Sequence, residues 1–484
     1  MSTVIIPGFH PDPSVCRVGD EVFLVNSSFE YFPGVPVFAS HDLTTWRQLG
    51  NALDRPDQLT VVPGAEGASG GIYAPTIRHH EGLFWLTTTN IHDVARGHLI
   101  VHSEDPRGPW SEPVYTTGVV GIDPDLAWDD DGTCFLTWSD VMTGGISQVR
   151  VDPRTGALLS DKQTLWHGTG GAHAEGPHLF RRGAWWYLLV AEGGTGPGHM
   201  VTIARATGPS GPFEANPCNP ILTHRSTSAP VQSTGHADMV ELADDSWAMV
   251  FLGTRPRGSF PRWHTNGRET FIATVRWVDG WPIVDEDRMP ASPVHAAFVD
   301  DFAAAVLDVR WISPGLDPAQ FATPTAEGLR LTGPEGASDP GLLAVRAESD
   351  AWAARVEASG DVSLEVRVDA RHRAIVERRG ERVHCRVVIG PLDQVLSERD
   401  GVGGTSLEIR SIQPDVARGS VRGPDVLVLG VVLDEAFEEL ARLDGRYLST
   451  EVAGGFTGRV IGVSALGDLA TVTSFSYRSA DASG

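Results

Sequence analysis

A short run of aliphatic and aromatic residues recurs five times in the first 290 residues, and each copy follows a turn signal. Glycine marks the turn in four copies and a pair of aspartates marks it in the fifth, before the apolar runs at 22–25, 83–86, 134–136, 185–188 and 247–250. An apolar run directly after a tight turn is typical of the second strand of a β-hairpin. The pattern therefore predicts five hairpins.

The spacing of the turns indicates how these hairpins are arranged. Consecutive turns are 63, 50, 51 and 62 residues apart. Each interval has room for a sheet of about four strands with its loops, and no useful stretch with the helical period of 3.6 residues interrupts the series. Sheets placed radially around an axis protect their edges by repetition. We therefore predict a five-bladed β-propeller rather than a jelly roll or a stacked sandwich.

A different strand pattern follows the repeats. A proline-marked joint at 289–293 precedes new strand-like stretches at 362–368, 383–389 and 426–433. Such stretches favour an antiparallel β-sandwich. The sequence thus predicts an all-β chain, with a five-bladed β-propeller domain over 1–297 and an antiparallel β-sandwich domain over 298–484.

The strand before each hairpin turn opens with a recurring phrase, in most copies a polar residue and a proline. The five openings are Asp12-Pro13, Ala74-Pro75, Asp123-Pro124, Glu175-Gly176-Pro177 and His236-Ala237-Asp238. Equivalent positions in a propeller surround one axis, so three carboxylates and a histidine should converge on one pocket. A single Asp-Pro is common turn chemistry, but gathering three carboxylates costs stability. Two carboxyl groups, one acid and one base, are the minimal equipment for glycoside hydrolysis.

These openings belong to an ordered series of motifs between residues 4 and 290. In this series the chain resembles glycoside hydrolase family 43. The motifs are Gly8-Phe9-His10-Pro11-Asp12-Pro13-Ser14, Ser27-Ser28-Phe29-Glu30-Tyr31-Phe32-Pro33-Gly34, Ala74-Pro75-Thr76, Ile122-Asp123-Pro124, Glu175-Gly176-Pro177-His178, Glu192-Gly193-Gly194-Thr195, Gly235-His236-Ala237-Asp238 and Gly267-Arg268-Glu269-Thr270. The resemblance implies an inverting, exo-acting enzyme whose catalytic domain is the five-bladed propeller over 1–297. The sandwich over 298–484 resembles the lectin-like domain appended to one branch of the family.

The resemblance also implies roles for the three carboxylates. Asp12 resembles the general base that activates water, Glu175 the general acid that protonates the leaving oxygen, and Asp123 the modulator that keeps Glu175 protonated and oriented. Inversion requires the base and the acid to stand about 6.5 to 9.5 Å apart, which leaves space for the water. The implied substrate is a terminal pentose of plant-type oligosaccharides, β-D-xylose or α-L-arabinofuranose, with the choice left open.

Two further residues resemble sugar-binding groups of the family. Arg268 resembles the arginine that binds sugar hydroxyls, and the alternative for it is a structural salt bridge to Glu269 or another acid. His236 resembles the axial histidine below the sugar, which hydrogen-bonds the pocket or holds a water on a calcium ion. Histidine is a poor direct ligand for calcium, so no cofactor is required and calcium is an option only.

Three aromatic residues are expected at the pocket wall. Phe29 and Tyr73 resemble aromatics that lie against the sugar ring, and Phe456 is the candidate from a sandwich loop that closes the pocket in one branch of the family. Ordinary strand packing is the alternative for each of them. Many family xylosidases carry tryptophan at the position of Tyr73, and proline is frequent at that of Ala174, so the sugar preference stays open.

Composition narrows the choice of partners. The chain has 38 lysines and arginines against 62 aspartates and glutamates, a net charge of −24, which repels phosphate backbones and anionic lipids. We therefore expect a small oligosaccharide substrate, no nucleic acid and no membrane partner, and we leave homo-oligomerisation open. A non-catalytic carbohydrate-binding propeller is the competing interpretation. The presence of all three carboxylates argues against it.

The cysteines and the N-terminus bear on location. Cys16, Cys134, Cys218 and Cys385 are widely spaced and form no Cys-x-x-Cys pair, so they are predicted to be buried free thiols. The N-terminal residues lack the basic region and apolar stretch of a signal peptide. Both features favour a cytoplasmic location.

Overall fold

The structure is a computed structural model that describes residues 3–62, 67–288, 297–333, 341–414 and 422–479. Within these ranges the chain is almost entirely β-strand, with one α-helix, Thr450–Ala453, and 3-10 helices at Ile91–Arg96, Pro318–Gln320 and Gly445–Leu448. None of the helices described is long and apolar enough to cross a membrane. The predicted all-β class is confirmed. The predicted joint at 289–293 lies outside the described residues.

Five antiparallel sheets form the predicted propeller. Their first strands contact one another and line the axis. The strands, in chain order, are Ser14–Val18, Glu21–Val25, Gly34–Ser40 and Arg47–Leu53 in blade 1; Thr76–His80, Leu83–Thr88, Leu99–Ser103 and Val114–Tyr115 in blade 2; Ile122–Trp128, Cys134–Asp140, Gly145–Asp152, Ala157–Leu158 and Gln163–Trp166 in blade 3; Glu175–Arg182, Trp185–Glu192, Met200–Ala206 and Glu214–Ala215 in blade 4; and Gln232–Glu241, Trp247–Thr254, Glu269–Val278 and Trp281–Asp285 in blade 5.

The apolar runs of the sequence are the second strands of the blades, as predicted. Each is buried on both faces because it lies between two neighbouring blades. In blade 1, Phe23 and Val25 pack toward blade 2, whereas Val22 and Leu24 pack toward blade 5. A strand covered on both sides needs no polar positions, which explains why the runs are continuous instead of alternating.

The N-terminal strand closes the ring. Thr3–Ile6 pairs antiparallel with Glu269–Val278 of blade 5, and the chain then enters the first strand of blade 1. Trp281–Asp285 pairs with the other end of the same blade 5 strand. Backbone hydrogen bonds therefore join the start of the propeller to its last blade.

The C-terminal half forms a large antiparallel sheet region. Its strands are Ala297–Asp300, Ala322–Thr325, Gly328–Thr332, Leu343–Arg346, Trp352–Asp369, His372–Arg379, Arg382–Ile389, Leu392–Asp400, Ser406–Ile412, Val426–Leu433, Ala436–Asp444 and Val460–Ser479. The long strands Trp352–Asp369 and Val460–Ser479 pair with each other along most of their length, and the other strands of the region pair with them directly or through neighbouring strands. His372–Arg379 packs against Ser406–Ile412 across the apolar core. The predicted boundary at 297/298 falls within the first of these strands, and it stays a prediction.

The sheet region contacts the mouth of the propeller. The short strand Ser313–Pro314 pairs with Tyr31–Phe32 of the propeller. Glu451 accepts a hydrogen bond from the backbone of His264 at 3.0 Å, and Arg459 donates its backbone N–H to Thr265 at 2.9 Å. These contacts hold the loop around residues 450–456 over the propeller.

One arginine joins the inner strands of all five blades. The guanidinium of Arg78 donates to Asp238 at 2.7 Å, to Asp125 at 2.6 Å and to His178 at 2.9 Å, and Ser14 Oγ lies 3.2 Å away. These residues come one from each inner strand. The two carboxylates are almost fully buried, so the guanidinium supplies the charge that they require.

The cysteine prediction is partly wrong. All four cysteines are free, and Cys16, Cys134 and Cys385 are buried, but Cys218 is exposed. It follows the outermost strand of blade 4, in a turn where its N–H donates to Asn216. That turn lies outside the interblade core, which is why an otherwise apolar residue stays accessible.

Replacement of Arg78 by alanine should strongly destabilise the propeller, because two buried carboxylates lose their counter-ion. We expect a loss of about 3 to 5 kcal/mol in the free energy of unfolding, measured by urea denaturation. Arg107→Ala is the control, since it breaks an exposed pair with Asp105 at 3.2 Å and should cost less than about 1 kcal/mol. Equal losses in the two variants would contradict the central role of Arg78.

Candidate active site

The residues that the sequence nominated come together at one end of the propeller axis. They line a cavity of about 230 Å³. The eight nominated residues in its wall are Asp12, Phe29, Tyr73, Asp123, Glu175, His236, Arg268 and Phe456. The structure thus places all of them within reach of one small ligand.

Four of the five inner strands share an unusual backbone conformation where they enter the pocket. Asp12, Asp123 and His236 have φ values of 54°, 56° and 44°, and Gly176 after Glu175 has a φ of 55°. A left-handed conformation costs a non-glycine residue about 1 to 2 kcal/mol. The same strained turn at equivalent positions explains why side chains from different blades meet, and such strain is typical of functional sites.

Asp12 is held in its ionised form. Its Oδ2 accepts a hydrogen bond from Ser27 Oγ at 2.5 Å, and its Oδ1 lies 3.3 Å from both Arg268 Nη1 and His236 Nδ1. Burial by itself would raise the pKa of Asp12, but Arg268, His236 and Ser27 together outweigh it and lower the pKa below its usual value. Asp12 therefore carries the negative charge of the pocket.

Glu175 and Asp123 are shifted in the opposite direction. Burial, with the negative charge of Asp12 beside it, raises the pKa of Glu175 to about 7. Burial and the neighbouring Glu175 raise the pKa of Asp123 well above its usual value, although the backbone N–H of Gly176 donates to its Oδ2 at 3.1 Å. The pocket thus holds one carboxylate stabilised in its ionised form next to two carboxyl groups whose pKa values are raised.

Arg268 lines the pocket, and it forms the alternative salt bridge with another acid, Asp12, but not with Glu269. Its Nη1 donates to Thr195 Oγ1 at 2.9 Å as well as facing Asp12. Glu269 is instead bound by Arg255 at 2.6 and 2.8 Å. The guanidinium is therefore a donor group at the cavity wall.

The residues around His236 do not fit a calcium ion. The Nδ1 atom of His236 faces Asp12, and burial lowers the pKa of the imidazole to about 4 although Asp12 opposes the shift. The axial carboxylates of Asp125 and Asp238 are both bound by Arg78. In the part of the chain that the structure describes, no group of three or more histidine, cysteine, aspartate or glutamate residues is placed to hold a metal.

Three aromatic rings line the same pocket, and one of them comes from the C-terminal sheet region. Phe29 stacks on Phe456 with ring centroids 6.0 Å apart, and Tyr73 meets both rings edge-on at 5.8 and 6.1 Å. The backbone N–H of Phe456 donates to Ser69 Oγ at 2.8 Å. The pocket is therefore completed by the sheet region.

Sequence reasoning assigned no role to several residues that build the site. Ser27 donates to Asp12, Thr195 accepts from Arg268, and His173 lines the cavity. The buried carboxylate of Glu192 accepts the backbone N–H groups of Thr169 and Gly171, both at 2.8 Å, and so anchors the loop before His173. Ser27, Glu192 and Thr195 all stand within the ordered motifs that carry the family resemblance, and this position was the signal that could have found them.

Comparison with known proteins identifies the family to which the chain belongs. The family model "Glycosyl hydrolases family 43" matches residues 1–282, more than half of the chain. The chain belongs to this family. A family 43 enzyme is a glycosidase, so its substrate is a carbohydrate.

Two curated relatives illustrate the match. One is the non-reducing end alpha-L-arabinofuranosidase BoGH43B of Bacteroides ovatus, 34% identical over 96% of this chain and 91% of that protein. Another is a xylosidase/arabinosidase of Butyrivibrio fibrisolvens, 42% identical over 58% of this chain and 56% of that protein.

Solved structures extend the similarity to the C-terminal half. The Bacteroides ovatus xyloglucan PUL GH43B structure superposes with a TM-score of 0.87 at 31% identity, over 99% of this chain and all of that one. The xylan beta-1,4-xylosidase of Bacillus halodurans C-125 superposes with a TM-score of 0.86 at 26% identity and the same coverage. Propeller and sheet region therefore occur together in these enzymes.

Gly176→Ala should disrupt the site without disrupting the fold. A Cβ atom there would lie 2.8 Å from the ring of His236, so the ring or the Asp123-bound backbone must shift. We expect kcat/KM on an aryl pentoside to fall by about 10²-fold. Gly183→Ala is the matched control, because Gly183 also has a positive φ, of 60°, but its Cβ would meet nothing within 4 Å. Comparable activity losses in both variants would show that backbone strain alone is responsible.

Proposed function

We propose that this enzyme is an inverting exo-glycosidase that releases a terminal pentose, β-D-xylose or α-L-arabinofuranose, from plant-type oligosaccharides. The observation that carries the proposal is the division of charge within one buried pocket. Asp12 is stabilised as a carboxylate, whereas the pKa of Glu175 is raised to about 7. An inverting glycosidase requires this combination of base and acid.

Each carboxyl group then has one task. Asp12 accepts a proton from a water molecule, which attacks the anomeric carbon while Glu175 donates its proton to the leaving glycosidic oxygen. Asp123 is the modulator, because negative charge on its carboxyl group beside Glu175 favours the protonated form of Glu175. Arg268 would bind sugar hydroxyls through its fork of donors, and His236 would support the sugar from the axis.

Pocket size and closure support exo action on a pentose. A volume of about 230 Å³ lies below the range of drug-sized ligand pockets and suits about one sugar ring. Phe29, Tyr73 and Phe456 present apolar rings to the faces of that sugar. The named relatives act on arabinofuranosides and xylosides, and one acts at non-reducing ends. We propose no metal requirement and a cytoplasmic location, and the oligomeric state stays open.

Paired carboxylate variants test the assignment of acid and base. Asp12→Asn should abolish hydrolysis of every substrate, because no other group can activate the water. Glu175→Gln should lose more than about 10²-fold on unactivated pentosides yet keep more of its rate on 4-nitrophenyl pentosides, whose leaving group needs little protonation. Initial rates on matched β-D-xylopyranosides and α-L-arabinofuranosides measure both effects and rank the two sugars.

The anomer of the first product provides an independent readout. Proton NMR during early turnover should show the configuration opposite to that of the substrate. Retention would overturn the inverting mechanism, and binding without turnover of any pentoside by the wild-type chain would overturn catalysis on this substrate class.

The pH profile tests the two pKa shifts separately. Activity should decline as the pH rises through about 7, because Glu175 then loses the proton that it must donate. Ser27→Ala removes a hydrogen bond that lowers the pKa of Asp12, so the acidic limb should move upward by about one pH unit. The alkaline limb serves as the internal control. A shift of both limbs together would contradict separate roles.

A further inference from the structure

A second cavity lies in the C-terminal sheet region, away from the pocket described above. Its volume is about 340 Å³, and the lining residues described for it include none of the catalytic pocket. One wall is the strand Trp352–Asp369, in which Leu364 and Val366 belong to the apolar core while Glu365 and Arg367 alternate with them. The cavity therefore occupies the polar face of this sheet.

The cavity is rich in arginine although the chain as a whole is acidic. Four arginines line it, and only two glutamates accompany them: Arg367, Arg373, Arg379, Arg386, Glu365 and Glu377. The chain carries a net charge of −24. A locally positive cavity on such a protein concentrates anions against the overall field.

Two of these arginines lie in an arrangement that structural needs do not explain. Arg367 and Arg373 are directly opposite each other on neighbouring strands, where like charges destabilise a sheet. They share one carboxylate, Glu365, at 3.3 and 3.5 Å. One carboxylate cannot neutralise two guanidinium groups, so among the residues that the structure describes the pair keeps an excess positive charge.

The same pair has hydrogen-bond donors without acceptors. The Nε atoms of Arg367 and Arg373 are buried and, within the described residues, meet no hydrogen-bond partner. The side chain of Arg367 is only 9% exposed. Buried donors are normally satisfied, so these two atoms indicate an acceptor that the cavity is built to receive.

We propose that this cavity binds a sugar acid, a hexuronate whose carboxylate is held by Arg367 and Arg373. A guanidinium fork matches a carboxylate in two parallel hydrogen bonds. Glu365 and Glu377 would repel a doubly charged phosphate more than a singly charged carboxylate, and they can accept hydrogen bonds from sugar hydroxyls. A cavity of about 340 Å³ lies at the small end of the range for ligand sites, which suits one sugar unit.

The choice of a sugar acid over other carboxylates rests on the proposed function, since plant-type oligosaccharides would carry it into the enzyme's reach. The anion site itself does not depend on that function. Such a site would hold an acidic branch of the substrate while the catalytic pocket removes neutral pentoses elsewhere on the same molecule.

Isothermal titration calorimetry on the full chain tests this site. D-Glucuronate should bind, D-xylose at the same concentration should give no signal from this cavity, and inorganic phosphate should bind at least tenfold more weakly. Arg367→Gln and Arg373→Gln should each weaken glucuronate binding by tenfold or more, because each removes one of the two guanidinium groups that hold the carboxylate. Arg382→Gln is the matched control, because Arg382 pairs with Asp400 at 2.7 Å outside the cavity and should leave binding unchanged.

The outcomes separate this proposal from the proposed function. All three variants should retain the wild-type kcat/KM on an aryl pentoside and the wild-type melting temperature. No glucuronate binding, equal binding of phosphate, or binding that survives both cavity variants would each overturn the sugar-acid site. Binding without pentoside hydrolysis would support the site and overturn the proposed function, whereas hydrolysis without binding would do the reverse.

Discussion

The structure depends on the bond between one buried guanidinium and the five inner strands. Arg78 binds Asp125 and Asp238, contacts His178 and lies beside Ser14, so one cation reaches every blade near the axis. Burying two carboxylates without a counter-ion would cost several kcal/mol for each. The requirement to keep these groups together fixes the relative positions of the strands.

The fixed positions of the inner strands also fix the positions of the pocket residues. Three of the axial residues, Ser14, Asp125 and Asp238, stand two positions after Asp12, Asp123 and His236 in the sequence, and His178 stands three positions after Glu175. Fixing the first set therefore fixes the second set a few ångströms along the same strands. The left-handed turns at the strand entries are maintained against their conformational cost because the strands cannot slide or rotate.

Within the pocket, carboxyl groups of similar chemistry have pKa values that are shifted in opposite directions. Asp12 has Arg268, Ser27 and His236 around one carboxylate, whereas Glu175 has burial and the charge of Asp12. The same degree of burial thus gives opposite protonation states, and the difference comes from partners that other blades contribute. The C-terminal sheet region adds Phe456 to this site. In our proposal it also provides a separate binding site for the substrate at Arg367 and Arg373.

The sequence by itself predicted the strands of the propeller and nominated the carboxyl groups that the structure brings to one pocket. Turn spacing predicted the blades because a second strand buried on both faces must be apolar, and the repeated strand openings nominated Asp12, Asp123 and Glu175. Tertiary structure decided the rest. Contacts between segments distant in sequence decide which residues Arg78 binds. They also decide that Arg268 pairs with Asp12 instead of Glu269, and that Cys218 is exposed. Protonation likewise follows from three-dimensional distance and burial, which local sequence patterns do not encode.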